Sequence, residues 1–115
     1  MGQAVSEKFS RLQLQMFVII ADVGEADAKS EQRHGKRWDG TVRWRPNLWF
    51  KDSYPPDTIS RALRALESRG YVERIRTGKN LRRTTRVKLT PQGHVIAKDA
   101  KFGRIKPLPP IERGE

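Results

Sequence analysis

Between Arg74 and Lys88 the chain carries seven cations, Arg74, Arg76, Lys79, Arg82, Arg83, Arg86 and Lys88, and no acid. The flanks, Tyr71 to Thr77 and Thr84 to Thr90, are rich in β-formers, and Gly78, Lys79 and Asn80 between them are turn residues. That pattern predicts an antiparallel hairpin over 71–90 with a connection of about six residues. In its second strand Thr85, Val87 and Leu89 alternate with Arg86 and Lys88, which gives one face to a core and one to solvent. Like charges facing one another across strands destabilise a sheet, so a surface built only for solubility interleaves both signs. Phosphates would relieve the repulsion, and each neutralised phosphate releases condensed counterions. The composition of the hairpin points to a polyanion.

Directly upstream, YPPDTISRALRALESRGYV at 54–72 places Ile59, Ala62, Leu63 and Leu66 at i, i+3, i+4 and i+7. This spacing predicts a helix over 55–69 with one buried stripe. Pro55 and Pro56 fit only a first helical turn, and Asp57 suits the positive end of the helix dipole. Gly70 supplies the left-handed residue that ends many helices, with Arg69 near the negative end. The opposite face carries Thr58, Ser60, Arg61, Arg64 and Ser68. A major groove about 12 Å wide admits a helix, and side chains of these types donate to phosphates and base edges.

The elements that must position these residues are less evenly legible. Phe9, Leu12, Met16, Ile19, Ile20 and Val23 recur at helical spacing, which predicts a first helix over 6–23 with Ser6 as its N-cap and Gly24 as its stop. A second apolar set, Leu14, Phe17, Val18 and Ala21, implies burial on more than one side, in the core or at a homodimer interface. Residues 25–53 read as a basic, loop-like insert in which TVRW (41–44) is a short strand and Pro46 opens a short second helix through Phe50. Its aromatics, Trp38, Trp44, Trp49 and Phe50, either stack bases of a single strand or pack the core, and packing is the commoner use. Thr90 as N-cap and Pro91 as first residue open a last helix over 91–102. The remainder, 104–115, is a proline-rich flexible tail in which Arg104, Pro107 and Pro110 fit a weak proline-helix ligand pattern.

Several functions lack a foothold. A chain of 115 residues, 36% hydrophobic, makes one domain with a modest core, and it has no cysteine for disulfide, thiolate or nucleophile chemistry. His34 and His94 stand apart without metal-ligand or triad partners, and the acids Asp22, Glu25, Asp27 and Glu31 are not set across a cleft. No phosphate-cradling glycine motif occurs, so neither an enzyme nor a bound cofactor is expected. The longest dense apolar run, Met16 to Ala21, is too short to span a bilayer, and no secretory signal opens the sequence. The expected location is the cytoplasm, with the nucleoid as the place of work in a prokaryote. Net charge of +11 fits a nucleic-acid partner.

TISRALRALESRGYVERIRTGKNLRRTTRVKLTPQG (58–93) resembles the recognition helix, wing and following helix start of a winged helix-turn-helix domain, with MarR-like transcription regulators the nearest kin. The matching pieces are the S-R-A-L-R-x-L-E-x-R-G helix end, the aromatic-V-E-R strand, the arginine-rich wing and the L-T-P-x-G start. They cover about a third of the chain and are more specific for fold than for role. The resemblance implies that Thr58, Ser60, Arg61 and Arg64 face a major groove. It also implies that the wing residues Arg76, Lys79, Asn80, Arg82, Arg83 and Arg86 meet phosphates or the minor groove. One departure is plain: where the family has a regular second helix of small residues, this chain has RWRPNLWFKDSY after a polar insert.

The expectation is therefore an α+β, mainly helical winged helix-turn-helix domain over 1–103, with three to four helices and a two- or three-stranded wing. It would bind double-stranded DNA as a sequence-specific transcription regulator, with residues 6–23 and 91–102 available for homodimerisation. An RNA- or single-strand-binding module, and a winged-helix adaptor in a replication or transcription complex, are the alternatives.

Overall fold

A computed structural model describes residues 8–51, 53–76 and 84–107. In chain order these form α1 (Arg11–Arg33), β1 (Val42–Arg43), α2 (Pro46–Phe50), α3 (Pro56–Ser68), β2 (Val72–Ile75), β3 (Arg86–Leu89) and α4 (Pro91–Lys101). The strands make one antiparallel sheet in the order β1-β3-β2. The helices pack on one side of it around Phe9, Met16, Phe17, Leu63, Leu66, Val42, Val72 and Val87, all less than 3% exposed.

The first helix departs from its predicted bounds at both ends. It begins at Arg11, not at 6, because Ser10 and Gln13 form a reciprocal capping box: each side chain bonds the other residue's backbone N–H. Gly24 does not stop it. This glycine is buried in mid-helix, where an added Cβ would lie 2.9 Å from the Trp38 ring. Its missing side chain thus makes room for an indole whose Nε1–H donates to the Thr41 carbonyl at 2.9 Å. The helix then runs through 25–33, part of the predicted loop, because Glu, Ala, Lys, Gln and Arg are strong helix formers. Gly35, at φ 71°, supplies the left-handed residue just beyond the His34 C-cap.

Other elements fall close to expectation. The helix begun by Pro46 spans Pro46–Phe50, and β1 lies within TVRW. Gly70, at φ 85°, follows the Arg69 C-cap of α3. Thr90 caps α4 by accepting from Gly93 N–H, and its hydroxyl donates to the Gly70 carbonyl at 2.7 Å. One side chain thereby ties the end of α3 to the start of α4. Gly93 is confined there because an added Cβ would lie 2.1 Å from the Tyr71 carbonyl oxygen. Ile105, beyond the predicted domain end, is half-buried against the core.

A candidate nucleic-acid interface

α3 splits by face as its spacing requires. Ile59, Leu63 and Leu66 are buried, while Thr58, Ser60, Arg61 and Arg64 are exposed. Asp57 is exposed on the same stripe, since 57, 60, 61 and 64 repeat the i, i+3, i+4, i+7 spacing. Beside this stripe lies an open cleft of about 600 Å³. Asp57, Ser60 and Arg64 line it from α3, Asn47 from α2, and Arg74 and Thr84 from the base of the hairpin. The second helix, the recognition-helix candidate and the hairpin thus share one concave surface.

The hairpin base is less repulsive than its composition suggests. Arg74 lies on the core side of β2, opposite Val87, and its Nε donates to Glu67 Oε1 of α3 at 2.7 Å. Lys88 stands opposite Glu73. Arg86, expected to meet phosphates, also makes contacts within the fold. Half-buried, it donates through Nε to the Thr41 hydroxyl at 2.6 Å and through Nη2 to the Thr41 carbonyl at 3.2 Å. Thr41 in turn donates its backbone N–H and its hydroxyl to Asp39 Oδ1, at 2.9 and 2.8 Å. These two hydrogen bonds, with the nearby Arg86 charge, hold the Asp39 carboxyl below its ordinary pKa. The network pins the turn before β1 to β3, which gives Arg86 a structural role. Arg76, at the end of β2, is exposed. Lys79, Asn80, Arg82 and Arg83 lie outside the described residues.

The aromatics of 38–54 are used for packing. Trp38, Trp44, Trp49 and Tyr54 are half-buried against the core. Trp44 meets Trp49 edge-on at 5.4 Å, Trp49 meets Phe50 at 6.5 Å, and Phe50 meets Tyr54 at 6.3 Å. Base stacking needs a free ring face, and these rings are engaged with one another edge to face along α2 and its flanks. Among the described residues, no three His, Asp or Glu side chains come together to hold a metal. No helix among them is long and apolar enough to cross a membrane.

A sequence reading of the exposed face that looks only for donors misses Asp57 and Asn47. Asp57 was legible from its spacing; Asn47 reaches the cleft through the tertiary position of α2, which no local pattern encodes.

Among the described residues, four helices and a three-stranded antiparallel sheet, with a short helix leading into α3 and an antiparallel strand pair behind it, define a winged helix-turn-helix domain. Comparison with solved structures supports this fold. A double mutant of ZitR from Lactococcus lactis superposes with a TM-score of 0.54 at 14% identity, over 89% of this chain and 57% of that one. A mutant MarR from E. coli complexed with operator DNA aligns with a TM-score of 0.40 at 24% identity, over 78% of this chain and 61% of that one. The chain thus spans less than two thirds of either neighbour. No protein-family model and no curated protein matches its sequence.

Proposed function

We propose that this domain binds double-stranded DNA in a sequence-specific manner and regulates transcription, with α3 in the major groove and the wing on the flanking backbone or minor groove. The observation that carries the reading is the exposed stripe of Thr58, Ser60, Arg61 and Arg64, adjoining a cleft shared by α2, α3 and the hairpin base. In a winged helix this is the surface a duplex can meet with a helix and a hairpin at once. The division of labour follows from chemistry. Arg76, Lys79, Asn80, Arg82 and Arg83 would fix position by contacting phosphates or the minor groove, whereas Thr58, Ser60, Arg61 and Arg64 would read base edges.

The domain would pair as a homodimer through residues 6–23 and 91–102, the stretches that include the first half of α1 and all of α4. Val95 in the middle of α4 and Phe102 at its C-cap, 59% and 61% exposed and seven residues apart, favour that surface.

The test is binding of the full chain to duplex DNA, single-stranded DNA and RNA across a salt series. Duplex binding is expected to dominate. Arg82→Ala with Arg83→Ala is expected to weaken binding to all sequences and to reduce the salt dependence by about two phosphate contacts. An unchanged affinity and salt slope would remove the wing assignment, and a preference for single strands would favour the single-strand reading instead.

A further inference from the structure

Asp57 is the one acid on the exposed stripe of α3. It lies in the same cleft as Ser60, Arg64 and Asn47, and among the described residues it forms no ion pair, including with Arg61 four positions along. Near phosphates its charge is repulsive. In a basic chain of net charge +11 it is the one carboxylate at the N-terminal end of the helix face assigned to the groove. A group that lowers affinity for every sequence can still raise discrimination, because specificity is a difference between affinities.

Resting on the duplex-binding reading above, we infer that Asp57 is a specificity-determining residue that selects cytosine in the major groove. A carboxylate only accepts hydrogen bonds. The donors available there are the N4 amino group of cytosine and the N6 amino group of adenine. Adenine sets its N6 donor beside the N7 acceptor, whose lone pair repels a carboxylate, whereas cytosine presents N4 with no acceptor on the same ring edge. Guanine and thymine offer only acceptors, and opposite an acid these leave the carboxylate desolvated and unpaired. Asp57 thus rejects three bases and tolerates one. Arg61 and Arg64, at i+4 and i+7, fall over neighbouring base pairs, where a guanidinium suits guanine.

The plainer role for Asp57 is to favour the start of α3, whose N-cap, Pro55, has no side-chain hydrogen bond. The two roles separate in one experiment. The full chain and its Asp57→Ala and Asp57→Asn variants each select sites from a randomised duplex pool at about 150 mM salt, and thermal unfolding is recorded for all three. The parent is expected to fix a cytosine at one position. Asp57→Ala is expected to lose that preference by about five- to a hundredfold, with no loss of affinity for random duplex. Asp57→Asn, which presents a donor and an acceptor together, is expected to exchange the cytosine for adenine. If the alanine variant does not fold, the asparagine variant decides alone. An identical selected site in the folded variants, with a lower melting temperature and uniformly weaker binding, would overturn the inference and leave only the helix-start role. Failure of the parent to bind duplex at all would instead remove the duplex reading, and this inference with it.

Discussion

On α3, Arg61 and Arg64 stand exposed beside Thr58 and Ser60, whereas on the sheet Arg74 reaches Glu67 and Arg86 reaches Thr41. The two regions have the same residue type at similar density, within one stretch of about thirty positions. On the sheet Arg74 and Arg86 are partly withdrawn from water, and each guanidinium is held by one neighbouring residue. On the helix the forks have no ion-pair partner among the described residues. Charge density therefore does not locate an interface; what matters is which cations the fold leaves uncommitted. The like-charge argument for the hairpin narrows accordingly. Glu67 and Glu73 relieve Arg74 and Lys88, and Arg43 standing directly opposite Arg86 is the like-charge pair left among the described strands.

The contrast can be broken from the scaffold side. Arg86→Ala removes two hydrogen bonds from a charged donor and releases the turn before β1, for an expected loss of about 2 kcal/mol in unfolding free energy. Denaturant midpoints would read it, and duplex affinity of the folded fraction should hold. A stable variant with greatly weakened DNA binding would put Arg86 back on the interface. Arg74→Ala comes next, at about 1 kcal/mol, because its partner Glu67 is 37% exposed and solvent screens the pair. Chemical denaturation of Arg74→Ala and Glu67→Gln, singly and together, isolates that coupling. The smallest effect is one of pH. The carboxyl of Asp39 titrates below its unfolded value when folded, so its contribution is present above pH about 4 and is lost as pH falls through the folded pKa. Melting temperatures from pH 6 down to 2 should fall less steeply for Asp39→Asn than for the parent.

The parts of the fold written in local chemistry were legible in the sequence. α3 could be read because apolar spacing, the Pro-Pro start and Gly70 all agree, and α4 because Thr90-Pro91 can do little else. α1 was harder, since two of its signals conflict with their context. Ser6 precedes the periodic residues, but Ser10 is the one with Gln13 three positions on. Gly24 looks like a stop until the Trp38 ring that fills its missing Cβ is known, and that contact joins positions fourteen apart. The loss of period after Glu25 reflects exposure of that end of the helix, not its absence. The employment of Arg86 was not legible either. Alternation correctly turns its side chain away from Val87 and Leu89, but whether that face meets water or Thr41 depends on a partner 45 positions earlier.

The most direct test of the division between committed and uncommitted arginines is the double variant Arg61→Ala, Arg64→Ala, measured for stability and for binding to a duplex selected by the parent. The expected result is unfolding free energy within about 0.5 kcal/mol of the parent. Alongside it, affinity for the selected duplex should fall at least about tenfold, with relaxed preference at the bases those residues read. Unchanged affinity and preference in a folded double variant would contradict the assignment of α3 to the groove.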